Sequence, residues 1–297
     1  MNADMSFSRI VVPLDGSLLS ESAIAPAARL ARRAGIPLRL IALTYDDAAC
    51  EIMSRNLAAL VPTLGDDTNV DVVVDAVGAV IRIDGYVADA IVEEAKSDGA
   101  LVCMASHGHG GAGVALLGSV TEEVLRRSSL PVLVVGPRVS ETESTDANVL
   151  AVCVDGSTFA EQAIAPAAAA SHQFGLPLWL VQVADPSGGP APDLVRPSDV
   201  RETAYLYRLA GSHPAVRNFD VMHSHHPARE IAELPERYPV AMIVMATHGR
   251  SGWSRIVLGS VAMNVVHHTT CPVLLVPPTP NVDDAVRARA EPAEAAR

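Results

Sequence analysis

Lysine is nearly absent from this chain: Lys96 is the only one in 297 residues. A Walker-type phosphate loop needs a lysine directly after its second glycine, so that route to nucleotide binding is closed. Basic side chains are few altogether, with 22 Lys and Arg against 34 Asp and Glu and a formal net charge of −12. Nucleic acid and anionic membranes need clustered basic groups to displace counterions, so neither is an expected partner. No run approaches the 18 or so apolar residues that cross a bilayer. The first residues, from Met1 to Ser6, have neither the basic region nor the apolar core of a signal peptide. The expectation is a soluble, cytoplasmic protein. The four cysteines, Cys50, Cys103, Cys153 and Cys271, show no C-x-x-C spacing. Cys103 and Cys153 lie inside apolar runs, as reduced core residues do. G-x-S-x-G and H-E-x-x-H are missing too, which argues against a dedicated hydrolase.

What the chain has in plenty is repetition. Val12-Pro13-Leu14-Asp15-Gly16-Ser17 returns 140 residues later as Val152-Cys153-Val154-Asp155-Gly156-Ser157. Met104-Ala105-Ser106-His107-Gly108 returns 141 residues later as Met245-Ala246-Thr247-His248-Gly249. Pro26 matches Pro166, Gly35 matches Gly175, Gly118-Ser119-Val120 matches Gly259-Ser260-Val261, and Pro131 matches Pro272. Solenoid units run about 20 to 50 residues, so this longer period means a duplicated domain. A unit of that size can close its own core. The division expected is a first domain over 1–139, a linker over 140–148, a second domain over 149–280, and a disordered tail over 281–297, rich in Ala, Arg, Glu and Pro.

Within each half, short apolar runs alternate with longer segments of helical period. Strands are predicted at 10–14, 38–43, 70–74, 100–104 and 132–135, and again at 149–154, 178–183, 219–223, 242–245 and 273–276. Helices are predicted at 20–33, 47–60, 86–96 and 119–127, with counterparts in the second half. The fold class is α/β, with two tandem doubly wound, five-stranded parallel-sheet domains of Rossmann-like form. Pro26 and Pro166 fall inside the first helix of each half and predict a kink there. A bend is expected near Gly78 and a loop over 185–193.

The chemistry gathers after the fourth strand. In the first half the chain runs Ala105-Ser106-His107-Gly108-His109-Gly110-Gly111-Ala112-Gly113 before Gly118-Ser119 opens a helix. A glycine-rich turn between a parallel strand and a helix presents unpaired amides and a positive dipole end to an anion. Such loops also serve as plain tight turns, but here the spacing occurs twice.

On these residues the chain resembles a tandem-domain universal stress protein over nearly its whole length. Nucleotide-binding members of that family carry G-x2-G-x9-G-[S/T] after the fourth strand and an aspartate at the end of the first. Here the motif reads Ala105-x2-Gly108-x9-Gly118-Ser119 and Ala246-x2-Gly249-x9-Gly259-Ser260. Both copies have Ala in place of the first Gly, which any demand for positive φ would penalise. The resemblance implies strand order 3-2-1-4-5, with the ends of strands one and four side by side at the topological switch point. It implies an ATP site, with Mg2+, in each half. Pro13 with Asp15, and Cys153 with Asp155, would flank the adenine or ribose, and Leu43 and Val183 would give backbone contacts to the base. The phosphates would lie on Ala105, Ser106, His107, Gly108, Gly111, Gly118, Ser119 and Val120, and on Ala246, Thr247, His248, Gly249, Arg250, Gly252, Gly259, Ser260 and Val261.

Plainer readings stand beside these. Ser119 with Glu122 spells a capping box, in which the hydroxyl serves the helix alone. Asp15-Gly16-Ser17 suits an ordinary strand-to-helix turn. His107 and His248 are better explained as loop-orienting residues bonded to the backbone than as catalytic ones, having no nucleophile or acidic partner. His223-Ser224-His225-His226 lacks a Cys or carboxylate at metal-ligand spacing, and no metal site is assigned.

The halves differ in charge. The second loop has Arg250 and Arg255, whereas the first has His109 and leads into Glu122 and Glu123. Phosphate is therefore expected to bind better in the second half. Two functions remain. One is an ATP-binding stress-response regulator, at most a weak ATPase; the other is a ligand-free interaction or dimerisation scaffold of the same shape. The fifth strands are short apolar edges, and unpaired edges invite a partner. With these edges, the family resemblance implies that the two halves pair through them, with a homodimer as a further arrangement.

Overall fold

A computed structural model describes residues 6–44, 47–65, 67–76, 86–108, 117–140, 147–186, 197–247 and 258–278. The bend expected near Gly78, nearly all of the loop over 185–193, most of the linker and the tail lie outside them.

The first half runs β1 (Ile10–Leu14), α1 (Leu18–Glu21), α2 (Ile24–Ala34), β2 (Leu38–Thr44), α3 (Asp47–Leu60), β3 (Val70–Ala76), α4 (Tyr86–Asp98), β4 (Leu101–Ala105), α5 (Ser119–Arg127) and β5 (Val132–Val135). The second half repeats it as β6 (Val149–Val154), α6 (Thr158–Glu161), α7 (Ile164–Phe174), β7 (Leu178–Ala184), α8 (Pro197–Ser212), β8 (Val216–His223), α9 (Pro227–Ala232), α10 (Leu234–Arg237), β9 (Val240–Ala246), α11 (Ser260–His268) and β10 (Val273–Val276).

Every predicted strand is present. Central β4, β5 and β10 are buried along their whole length, as parallel strands covered on both faces must be. Outer β8 mixes polar and apolar residues and has four exposed positions. Its polar start, Val216 to Asn218, does not read as strand in sequence. The helix predicted over 20–33 is a correction: the chain makes two helices, α1 and α2, with a break at Ser22 and Ala23. Pro26 has no amide hydrogen, and in a continuous helix its ring would strike the carbonyl of Ser22. Breaking ahead of the proline puts it in the first turn of α2, where no amide is needed. Pro166 does the same for α7 after Ala163.

All ten strands form one sheet, in the order β3-β2-β1-β4-β5-β10-β9-β6-β7-β8. Each half keeps its own parallel 3-2-1-4-5 order. The halves join where β5 and β10 pair antiparallel, Leu133 opposite Leu274. Both leucines are fully buried, so the two edges that would invite foreign strands cover each other. Helices pack on both faces, and each of the two core clusters takes residues from both halves.

Side chains and backbone lock the junction. Phe7 and Gln173 exchange two hydrogen bonds, Phe7 N to Oε1 at 2.8 Å and Nε2 to Phe7 O at 2.6 Å. The Phe7 ring stacks on Phe174 at 6.3 Å. Gly136, just past β5, lies so close to α11 that a Cβ there would overlap the Val266 carbonyl oxygen.

Candidate functional site

The candidate residues gather at the carboxyl ends of the central strands. β1 pairs with β2 on one side and β4 on the other. The chain leaves these neighbouring ends in opposite directions, which opens a crevice between them. The second half repeats this with β6 between β7 and β9.

Each first strand is followed by an aspartate held the same way. Asp15 Oδ1 accepts from Ser17 N at 3.0 Å and from Ser17 Oγ at 2.6 Å. Asp155 Oδ1 accepts from Ser157 N at 2.9 Å and from Ser157 Oγ at 2.6 Å. Each serine then caps the short helix that follows, through Ser20 N at 3.1 Å and Ala160 N at 3.2 Å. The turn reading is correct for one oxygen of each carboxylate. In the first half the other oxygen, Oδ2 of Asp15, sits against the Gly108 α-carbon, where a Cβ would overlap it. Asp155 is half-buried, and Tyr205 of α8 stands close by. Burial, followed by the charges of Glu161 and Asp155, raises that phenol above its ordinary range.

The two glycine loops are stitched alike. Ser106 N donates to Val135 O and Gly118 N to Ser106 O, both at 2.8 Å. Thr247 N donates to Val276 O at 2.9 Å and Gly259 N to Thr247 O at 2.8 Å. Ala105 and Ala246 are the last residues of β4 and β9, and no described non-glycine residue has positive φ. The alanine that departs from the family motif is therefore unstrained.

The capping box is a correction. Gly118 is the N-cap of α5 and Ser119 its first residue, with no side-chain cap; Gly259 and Ser260 stand in the same relation to α11. One residue too far into the helix to cap it, both exposed hydroxyls sit beside uncapped first turns, where an anion is favoured. Glu123 also differs from its sequence reading. Hydrogen bonds from Arg126, then Arg127, hold its carboxylate below the ordinary range, and these partners offset its charge.

His107 contacts a side chain where backbone bonds were expected: its Nδ1 lies 3.0 Å from Ser106 Oγ. Its ring meets His267 of α11 at 5.3 Å.

In the second half a cavity of about 400 Å3 opens at this end of the sheet. Eight of the predicted residues line it: Cys153, Asp155, Val183, Ala246, Thr247, Gly259, Ser260 and Val261. His248, Gly249, Arg250 and Gly252 lie outside the described residues, as do Gly111, His109 and Arg255. The first-half candidates occupy the matching strand ends: Pro13 and Leu43 half-buried, Ser106 buried, Val120 exposed. The cavity also has a wall that sequence reasoning missed, formed by Asp185, Ser224, His225, Pro227 and Ile231. His225 Nδ1 lies 3.1 Å from Asp185 Oδ1. The histidine run was the available signal, but its carboxylate partner stands 40 residues away in sequence.

The sequence model of the universal stress protein family matches residues 6–136 and again 148–277. The chain belongs to the universal stress protein family. It carries that family's domain twice. A universal stress protein of Mycobacterium tuberculosis is 25% identical over 291 residues, covering 90% of this chain and 96% of its own length. Among solved structures, a universal stress protein of Archaeoglobus fulgidus is 18% identical, with TM-score 0.60 over 93% of this chain and 98% of that one. A Pseudomonas aeruginosa protein of unknown function is 16% identical, with TM-score 0.62 over the full length of both chains. These two structures share the tandem fold. No helix among the described residues is long and apolar enough to cross a membrane.

Proposed function

We propose that this universal stress protein is a nucleotide-responsive regulator that holds ATP with magnesium, more tightly in its second half. The observation that carries this reading is the cavity at the end of β6 and β9, lined by eight residues that the family resemblance assigns to the nucleotide. Its volume of about 400 Å3 lies in the usual range for small-molecule sites.

The apolar wall formed by Val183, Pro227 and Ile231 suits a base. Ser260 and the amides opening α11 face the phosphates, and the helix dipole stands in for the lysine that the chain lacks at a phosphate loop. Magnesium keeps most of its waters and takes one or two carboxylates beside the phosphates. Asp155 and Asp185 line this same cavity and are the groups that would hold it. Hydrolysis is expected to be slow, and the bound state is the signal.

The first half is expected to hold the nucleotide more weakly, because Asp15 already rests on Gly108 and Met53 of α3 packs on Gly16. Calorimetric titration of ATP and magnesium into Ser260→Glu and Ser119→Glu tests the assignment. A glutamate in a first helical turn favours the helix but repels phosphate. The larger loss of affinity is expected from Ser260→Glu; equal affinities for both variants and the parent protein would refute the reading.

A further inference from the structure

Helix α11 belongs to both halves at once. Ser260, its first residue, lines the second-half cavity. Seven residues on, about 10 Å along the axis at 1.5 Å per residue, His267 meets His107 of the first-half loop, ring centroids 5.3 Å apart and planes at 48°. His267 is 94% buried by its 6% exposure. Among the described residues neither its Nε2 nor that of His107 has a hydrogen-bond partner. Between these ends the helix is tied to the first half. Val266 O blocks any Cβ at Gly136, and Arg138 Nη1 donates to His268 O at 3.0 Å.

The internal repeat does not conserve the histidine at this place in the helix. Ser119 matches Ser260, so the residue matching His267 is Arg126 of α5, which is bonded to Glu123 in its own helix. In α11 Asn264 replaces that glutamate, and position 267 is left to reach across.

We propose that His267 is a positioning residue supplied by the second half to the ligand loop of the first, and that α11 couples the two sites. A nucleotide drawn onto Ser260 pulls on a rigid helix whose far end packs on His107, next to Gly108 of the other loop. Packed interfaces respond to such shifts by switching rather than by bending continuously. The coupling rests on both loops being nucleotide sites.

Titration of ATP with magnesium into the intact protein, compared with Ser119→Glu and Ser260→Glu as single-site references, gives the coupling factor. Factors of about 5 to 150 are usual for linked sites, and at least fivefold is expected here, equal in both directions. In His267→Ala the factor should fall to about 1 while ATP still binds each site. His267→Gln, whose amide keeps a polar group facing His107, should restore part of it; a purely structural loss would not be rescued so. Binding at both sites with no coupling in the parent protein, or coupling unchanged in His267→Ala, would overturn the proposal alone. No ATP binding in either half would overturn it together with the function proposed above.

Discussion

Gly108 and Asp15 stand in contact across the ends of β4 and β1: the glycine α-carbon lies where any side chain would overlap the Asp15 carboxylate. A motif glycine and a motif aspartate from separate strands are thus each other's immediate neighbours. The carboxylate cannot simply swing away, because its other oxygen is held by Ser17 N and Oγ. Gly108→Ala is therefore expected to cost about 1–3 kcal/mol, the usual range for overpacking. Urea unfolding measures it. In an Asp15→Ala background most of that loss should vanish, since neighbouring sites couple. An unchanged cost would mean that the strain lies elsewhere.

The junction between halves yields a sharper case. The obstacle to a side chain at Gly136 is the backbone carbonyl of Val266 inside α11, which has no rotamer to change. Gly136→Ala must push β5 from α11 and weaken the β5–β10 pairing, at about 3 kcal/mol, the upper end of ordinary overpacking. Both tryptophans, Trp179 and Trp253, belong to the second half, so their fluorescence follows that half, whereas circular dichroism follows both. The two unfolding curves should coincide in the parent protein and separate in Gly136→Ala.

How much of this was legible in the sequence depends on whether a signal was local. Strand positions and the duplicated loops could be read because apolar runs and glycine spacing are local, whereas the pairing of the fifth strands came from the family resemblance. The break before Pro26 was read only as a kink, since the clash with the carbonyl of Ser22 fixes where the chain must part and sequence spacing does not. Ser119 looked like a cap because S-x-x-E matched, but it is the helix's first residue and the N-cap falls one residue earlier, at Gly118. Asp185 and His225 joined the cavity, and His267 met His107, only once the sheet had brought distant segments together.

Thiol reactivity should separate the four cysteines cleanly. Burial pushes the thiols of Cys103, Cys153 and Cys271 up to about 12, and thiolate is the reactive form. Cys50 is half-buried. An aromatic disulfide reagent at pH 8 should titrate one fast thiol per native chain, abolished by Cys50→Ser, and four after denaturation. Fast loss of a second thiol from the native protein would contradict the buried placement of Cys153 beside the cavity.

The last expectation concerns pH. Burial, then the neighbouring His107 and His268, hold His267 below its ordinary value of 6.5. In the unfolded chain it returns to about 6.5. Above pH 6.5 the ring is neutral in both states and contributes no pH dependence. As pH falls from 6.5 toward the folded value, the unfolded state takes up the proton first, so stability declines. Below the folded value both states are charged and the deficit stays constant. Other groups titrate in the same window, so the informative quantity is the difference between the parent protein and His267→Gln, measured by urea unfolding at pH 7.5, 6.5 and 5.5. The parent should lose more stability than the variant on acidification. Parallel curves would mean that His267 is not depressed and that its contact with His107 carries no electrostatic weight.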